Sequence, residues 1–222
     1  MTFASRNPWM TAAAAEIPDG IPAVLFMRHE ERYGNPPDGD YSKLLLTPEG
    51  VRSANATGAS IDRKLGVLRS SCVGRCKQTL QEIVRSVPAP FAPDGQIAEC
   101  REFSELLGDP RPKEEGGIGW YEYYNYLQLH DAAATRGVTL EAEAGRILDA
   151  LFRETAGSRG LSIACSHDGH VVILASALFG LRTGTTWSEE WCHYAEGLFF
   201  YGERDDFTAL WRGQKKRFRG GL

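Results

Sequence analysis

Residues 22–32, PAVLFMRHEER, change abruptly from apolar to charged. The six uncharged residues at the start do not alternate with polar ones, which is typical of a strand covered on both faces in a parallel sheet. Arg28, His29 and Arg32 follow where that strand should end, and ligands of open α/β sheets bind at the carboxyl ends of strands. Two guanidinium groups around one neutral nucleophile indicate an anionic ligand. A buried strand followed by a solvated charged loop would look the same, so the interpretation depends on partners elsewhere in the chain.

The composition predicts one well-cored domain. The chain has 222 residues, 42% of them hydrophobic and 24% charged. We predict an irregular leader over residues 1–20, a single domain over residues 21–213, and a basic tail over residues 214–222 that is disordered.

The charge and the cysteine count limit the classes of partner and compartment. A net charge of -4 argues against affinity for nucleic acid, so any positive potential must be confined to a cleft that suits a small anionic substrate. The chain has five cysteines, an odd number and a low density that do not suit a disulfide framework, and this indicates a reducing compartment. Because no apolar run has the length of a membrane span or the flanks of a signal peptide, we expect a cytoplasmic protein with no membrane partner.

Strands and helices alternate along the rest of the chain, which predicts an α/β fold. Thr47, Pro48 and Glu49 form a helix start, with threonine as N-cap and proline at the first helical position. A short strand over residues 67–71 precedes a helix whose first turn contains Arg75, where free N–H groups and the helix dipole favour an anion. A second buried-type strand, residues 161–166, is followed directly by His167. An apolar strand followed by histidine therefore occurs twice.

Four motifs occur in order over residues 22–180: Arg28-His29-Glu30-Glu31-Arg32, Leu46-Thr47-Pro48-Glu49-Gly50, Ser70-Ser71…Arg75-Cys76-Lys77-Gln78-Thr79 and Ser166-His167-Asp168. Together they resemble the histidine phosphatase superfamily, which includes cofactor-dependent phosphoglycerate mutases, acid phosphatases and phytases. The resemblance implies a three-layer α/β/α sandwich with a mostly parallel central sheet, as in phosphoglycerate mutase. The sequence departs from the family at Glu30, where the family commonly has glycine, and this places a carboxylate near an anion site unless the side chain turns away.

By position, the resemblance implies a role for each charged residue of these motifs. His29 would be the nucleophile, Arg28, Arg32 and Arg75 would bind the phosphate, and His167 would contact the phosphoryl group as a second histidine. The nearby guanidinium groups disfavour a charged imidazole, so His29 stays available at neutral pH. Attack on phosphorus would form a phosphohistidine that water hydrolyses, with no metal and no cofactor required.

The leaving oxygen needs a proton, and the branches of the family take it from different places. We favour Asp168 as the donor because it adjoins His167. Glu102 is the second candidate and Glu99 the third. Positive neighbours lower the pKa of a carboxyl group and would leave Asp168 ionised, but a bound phosphate dianion offsets much of that field.

The predicted function is hydrolysis of a phosphomonoester, with a small phosphorylated molecule as the substrate. Two alternatives stay open: a phosphoglycerate mutase-like phosphotransferase, and a non-catalytic module that binds a phosphorylated ligand or partner. The departure from the family at Glu30 keeps the non-catalytic alternative open. A metal site at His29, His167 and His170 is disfavoured because three arginines would repel a cation. A zinc site at the cysteines lacks a second close pair to complete four ligands.

Overall fold

The computed structural model describes residues 1–34, 36, 40–107, 120–184, 190–220 and 222. The helices are α1 (Pro8–Ala15), α2 (Pro48–Ser60), α3 (Gly74–Ser86), α4 (Trp120–Gln128), α5 (Leu140–Thr155) and α6 (Asp168–Phe179). The strands are β1 (Ala23–Arg28), β2 (Leu65–Ser70), β3 (Ala98–Glu99), β4 (Leu161–Ser166), β5 (Gly197–Glu203), β6 (Asp206–Trp211) and β7 (Gln214–Arg219).

The strands form one sheet in the order β3-β2-β4-β1-β5-β6-β7. Strands β3, β2, β4 and β1 are parallel, and β5, β6 and β7 extend the sheet beyond β1 as an antiparallel meander. The prediction of an α/β fold with a mostly parallel central sheet is therefore confirmed.

Helices cover both faces of this sheet, which gives the three predicted layers. Helices α1, α2 and α3 pack on one face, and α4, α5 and α6 pack on the other. Strand β1 lies between the two cores: Val24 and Phe26 point into one, and Leu25 and Met27 into the other. This double burial explains why the sequence of β1 is apolar without alternation.

The start of α2 fixes the loop that follows β1. The hydroxyl of Thr47 accepts a hydrogen bond from the Gly50 N–H at 3.0 Å, which confirms the predicted N-cap. The Thr47 N–H donates to the carbonyl of Glu31 at 2.9 Å, and a Cβ at position 50 would collide with that same carbonyl. The glycine therefore allows α2 to approach the loop that contains His29.

The prediction of an irregular leader is wrong. Residues Pro8–Ala15 form α1, which begins at a proline in its first turn. Phe3, Met10 and Ala14 are buried in the core beneath the sheet. The alanine run has a high helix propensity but no amphipathic pattern, and because so short a helix is not stable alone, its packing on β5 and β6 stabilises it.

The prediction of a disordered tail is also wrong, because residues Gln214–Arg219 form β7 and pair with β6 along their whole length. The side chains of this edge strand are largely exposed and basic. Arg217 pairs with Asp206 at 2.6 Å and Lys215 lies 3.8 Å from Glu16. Backbone pairing thus orders a segment whose composition alone suggests a solvated end, and its charges are typical of a protected sheet edge.

Candidate active site

The carboxyl ends of β1 and β4 bring the two histidines of the motifs together. Arg28, the last residue of β1, pairs in register with Ser166, the last residue of β4. The N–H of His29 donates to the carbonyl of Ser166 at 3.0 Å. The rings of His29 and His167 lie with their centroids 5.7 Å apart. Two strands that are distant in sequence but adjacent in the sheet therefore place both imidazoles at one edge.

The hydrogen bonds of His29 define which of its nitrogens carries the hydrogen. Its Nδ1 lies 2.7 Å from the Glu30 carbonyl, which can only accept, so Nδ1 carries the hydrogen. Its Nε2 lies 2.9 Å from Nε of Arg75, which can only donate, so Nε2 presents its lone pair. Burial of the ring lowers the pKa of His29 well below its usual value, and the charges of His167, Arg28 and Arg75 lower it further. His29 is thus a neutral imidazole whose Nε2 lone pair faces the guanidinium of Arg75.

Arg75, in the first turn of α3, connects both histidines. Besides its bond to His29, its Nη2 lies 3.3 Å from Nδ1 of His167, and its Nη1 donates to the carbonyl of Tyr41 at 2.6 Å. Burial is the largest influence on this group and lowers the pKa of Arg75. The guanidinium remains charged, since arginine does not lose its proton in proteins. Two donors of one side chain therefore contact the two histidines, and the third fixes the guanidinium to the Tyr41 carbonyl.

His167 stands at the N-cap position of α6 and is held by Ser71. Because Nη2 of Arg75 donates to Nδ1, the hydrogen of a neutral His167 belongs on Nε2, which lies 3.1 Å from Oγ of Ser71. The same Oγ accepts from the N–H of Val73 at 3.2 Å. Ser71 appears in the sequence only as part of a motif, and the structure places its hydroxyl directly against the second histidine.

Arg28 is buried and joins the strand end to the segment before β5. Its Nη1 donates to the carbonyl of Cys192 at 2.5 Å, and its Nη2 lies 3.2 Å from Oδ2 of Asp168. Its guanidinium carbon lies 4.1 Å from the ring centroid of Tyr194, a cation–π contact. Among the residues that the structure describes, its Nε has no hydrogen-bond partner.

Arg32 lies at the rim of this group. It is half-buried, its Nη1 donates to the carbonyl of Tyr33 at 2.8 Å, and its guanidinium carbon lies 5.1 Å from the ring centroid of Tyr41. Its charge reaches Arg75, where it contributes to the lowered pKa after burial. The structure thus brings together Arg28, His29, Arg75 and His167, with Arg32 beside them. We call these five residues the arginine–histidine cluster.

Asp168 is the carboxylate that contacts this cluster. Its Oδ2 faces Arg28 and accepts from Nε1 of Trp191 at 3.1 Å, and its Oδ1 accepts from the Gly169 N–H at 3.0 Å. Burial raises the pKa of Asp168, but the charge of Arg28 and the hydrogen bond from Trp191, together with His167 and the Gly169 N–H, outweigh burial. The net effect is a pKa below the usual value, as expected for a carboxylate among cations.

The other two candidate proton donors are bound to cations outside the cluster. Glu102 accepts from Nη2 of Arg153 at 2.7 Å and from Sγ of Cys100 at 3.3 Å. A backbone hydrogen bond, followed by the bond from Arg153, lowers the pKa of Glu102. Glu99 is exposed and lies 3.7 Å from Nζ of Lys77.

Glu30 does not present its carboxylate to the arginine–histidine cluster. The side chain is buried towards α2, where Oε1 accepts from the hydroxyl of Ser53 at 2.6 Å and Oε2 lies 3.5 Å from Nη1 of Arg6. Burial raises the pKa of Glu30. The departure from the family's glycine is thus accommodated by a separate polar pocket.

His170 lies beside His167, with ring centroids 6.1 Å apart, but its own hydrogen bond is to another segment. Its Nε2 lies 3.2 Å from the carbonyl of Glu105, and its buried Nδ1 has no hydrogen-bond partner in the described part of the chain. Burial, reinforced by the charge of His167, lowers the pKa of His170 to about 3. Within the described ranges, no three histidine, cysteine or acidic side chains are grouped so that they could hold a metal.

The residues just before β5 contact the site, although the sequence did not predict them. Trp191 binds Asp168, the Cys192 carbonyl binds Arg28, and Tyr194 stacks on Arg28. Tyr121 of α4 packs on Trp191 with ring centroids 4.6 Å apart. A signal for them exists: β5 is antiparallel to β1, so residues that precede β5 must lie at the edge where β1 ends.

The family model of the histidine phosphatase superfamily (branch 1) matches residues 24–209. The chain belongs to the histidine phosphatase superfamily. The matched range contains the whole arginine–histidine cluster of this superfamily member. None of the curated proteins matches the chain.

Solved structures share the fold of this superfamily member at low sequence identity. Phosphoglycerate mutase from Bacillus anthracis superposes with a TM-score of 0.54 and 13% identity, over 89% of this chain and 91% of the other. YhfR from Bacillus stearothermophilus gives a TM-score of 0.52 and 17% identity, over 87% and 97%. A mycobacterial glucosyl-3-phosphoglycerate phosphatase gives a TM-score of 0.51 and 16% identity, over 86% and 99%. Across the described part of the chain, no helix combines the length and apolar character needed to cross a membrane.

Proposed function

We propose that this protein hydrolyses phosphomonoesters through a covalent phosphohistidine at His29. The observation that carries the proposal is the state of His29, which is a buried neutral imidazole whose Nε2 lone pair points at a guanidinium donor. An attacking imidazole must be neutral, and its attacking nitrogen must face the position that the phosphorus will occupy. The Glu30 carbonyl fixes the ring in that tautomer before substrate binds.

The surrounding cations are suited to bind the phosphoryl group. In this structure Arg75 donates one hydrogen bond to His29 and one to His167. A phosphate dianion is a stronger acceptor than either imidazole, so its oxygens would take these bonds and free Nε2 of His29 for attack. Arg28 and Arg32 add positive charge around the same space. Charge that is fixed before the reaction is the main source of rate in phosphoryl transfer.

Asp168 is the proton donor in this proposal. Its carboxylate contacts Arg28 and stands at the start of α6 next to His167. The cations that lower its pKa are the groups that a phosphate dianion would partly neutralise, so substrate binding raises the pKa towards a protonated acid. Activity should therefore fall as the pH rises above neutral. A rate that keeps increasing to about pH 9 would count against Asp168 as the acid.

The choice of acid can be tested with two classes of ester. An alkyl phosphate needs a proton on its leaving oxygen, whereas 4-nitrophenyl phosphate does not. Asp168→Asn should reduce kcat for the alkyl ester by about 10²-fold or more and kcat for the nitrophenyl ester much less. Glu102→Gln and Glu99→Gln are the matched controls, and they should leave the ratio of the two rates unchanged. A selective loss in Glu102→Gln would make Glu102 the donor instead.

The decisive experiment combines turnover with trapping. The protein is incubated with 4-nitrophenyl phosphate, quenched, and analysed for acid-labile phosphate. We expect steady release of nitrophenol, a phosphorylated protein, and loss of both in His29→Ala, by about 10³-fold or more in kcat/KM. His130→Ala, which removes an exposed histidine at the end of α4, is the control and should keep both signals.

The same experiment separates the alternatives. A mutase would require a phosphorylated primer and would return the phosphoryl group to a product, while a binding module would show neither label nor turnover. The orientation of Glu30 supports catalysis over the binding module, because its carboxylate is engaged by Ser53 and lies near Arg6 rather than competing for the phosphate-binding arginines.

A further inference from the structure

Exposed apolar side chains are concentrated beside the arginine–histidine cluster. Of the seven large hydrophobic side chains that are exposed in the described part of the chain, three follow Arg32 within one short segment. They are Tyr33, Tyr41 and Leu45, whose exposed fractions are 53%, 42% and 51%. Exposed apolar side chains next to a polar site are typical of a surface that a ligand covers.

A hydrogen bond joins two of these residues, and the third contacts the arginines of the site. The carbonyl of Tyr41 accepts from Arg75, and its ring lies 5.1 Å from the guanidinium carbon of Arg32. The Tyr33 N–H donates to the carbonyl of Leu45 at 3.2 Å. The Leu45 side chain borders Gly74, the first residue of α3, where a Cβ would lie 3.6 Å from it. We call Tyr33, Tyr41 and Leu45 the apolar rim.

Apart from Arg32 and Arg75, which the proposed function assigns to the phosphoryl group, the charged side chains described next to the apolar rim pair with one another. Lys43, two residues after Tyr41, lies 2.8 Å from Asp40. Arg6 contacts Glu31, the residue before Arg32, at 3.1 Å. A substrate with a second anionic group would therefore meet paired charges and carboxylates here, whereas an aromatic or aliphatic group would bury apolar surface.

We propose that the apolar rim binds the organic part of the phosphomonoester, so that esters of aromatic or large apolar alcohols are preferred over small metabolites with a second anionic group. The location of the phosphoryl group in this inference rests on the proposed function. Tyr41 is the principal contact, because its backbone binds Arg75 and its ring is both exposed and adjacent to Arg32.

The test measures binding, so it does not depend on turnover. Isothermal titration of the intact protein with methylphosphonate, benzylphosphonate and 3-phosphonopropionate is performed at one alkaline pH at which each phosphonate is a dianion. Benzylphosphonate should bind about tenfold more tightly than methylphosphonate, as expected when roughly 60 Å² of apolar surface leaves water. 3-Phosphonopropionate, which adds a carboxylate instead of a ring, should bind no more tightly than methylphosphonate.

Variants of Tyr41 show whether the apolar rim is the cause. Tyr41→Ala should reduce the ratio of benzylphosphonate to methylphosphonate affinity to about threefold or less, and Tyr41→Phe should retain the ratio of the parent protein. Leu129→Ala removes an exposed leucine just after α4 and should change neither affinity. Each ratio is measured within one variant, so a general loss of phosphonate affinity does not affect it.

Several outcomes would overturn this inference. They are equal affinities for benzylphosphonate and methylphosphonate, a preference for 3-phosphonopropionate, a ratio unchanged by Tyr41→Ala, or no phosphonate binding at all. If the protein forms phosphohistidine and turns over but shows no preference for the benzyl group, the inference fails and the proposed function stands. If the preference appears without turnover or label, the proposed hydrolase fails while the apolar rim stands as a ligand-binding surface.

Discussion

Replacing His170 with glutamine should reduce, by about 3 kcal/mol, the free energy of unfolding that the protein loses between neutral pH and about pH 4. His170 is buried on α6, and its Nε2 lies 3.2 Å from the carbonyl of Glu105. Burial holds its pKa at about 3, against an ordinary value of 6.5. Glutamine keeps an N–H donor for the Glu105 carbonyl and does not titrate.

The magnitude follows from the two pKa values of His170. Below pH 6.5 the unfolded chain takes up a proton on this ring and the folded protein does not, so the free energy of unfolding falls as the pH falls. The loss is about 1.4 kcal/mol for each pH unit and continues until the pH reaches the folded value of about 3. From neutrality to about pH 4, one histidine accounts for about 3 kcal/mol.

Urea unfolding at neutral pH and at about pH 4 measures this loss in the parent, in His170→Gln and in the exposed control His130→Gln. The parent and the control should lose the same free energy on acidification, and His170→Gln should lose about 3 kcal/mol less. His29, whose pKa is also depressed by burial, contributes equally to all three proteins and cancels in the comparison. An acid loss in His170→Gln as large as that of the parent would refute the assignment of a buried neutral ring.

Three further predictions follow from the site. Because burial holds the pKa of His29 well below 6.5, kcat/KM for a phosphate dianion should show no loss from His29 protonation at pH 6, and a decline centred near pH 6.5 in pH–rate profiles would contradict this. Trp191→Phe removes a donor that stabilises the Asp168 carboxylate and so raises the pKa of Asp168. The decline of kcat at alkaline pH should therefore move to higher pH, and an unchanged decline would show that Asp168 does not cause it. Arg212→Gln leaves the buried carboxylate of Glu196 without its paired charge and should cost about 3 kcal/mol in urea unfolding, whereas a loss under about 1 kcal/mol would show that the pair is dispensable.

The parts of this fold that sequence could predict are those with a local signal. The uninterrupted apolar run of β1 predicted burial on both faces, and Thr47 with Pro48 predicted the start of α2. The parallel β1 and β4 could be expected to end at one edge, which is why His29 and His167 could be paired in advance.

The parts that sequence did not predict depend on tertiary contacts. Helix α1 has no amphipathic pattern and is ordered by packing beneath the sheet, and β7 is ordered by backbone pairing with β6. Trp191 and Tyr194 belong to a segment with no regular structure, and they reach the site only because β5 lies antiparallel beside β1. The direction in which Glu30 turns also depends on Ser53, 23 residues further along the chain.

The account depends most directly on where the phosphoryl group is attached during turnover. Rapid acid-free quenching of the protein with an aryl phosphate, followed by peptide mapping and ³¹P–¹H NMR, identifies both the residue and the nitrogen. The account predicts phosphate on Nε2 of His29, because Nδ1 is held as a donor to the Glu30 carbonyl. Phosphate on Nδ1 of His29, on His167 or on any other residue, or turnover without a phosphorylated protein, would contradict it.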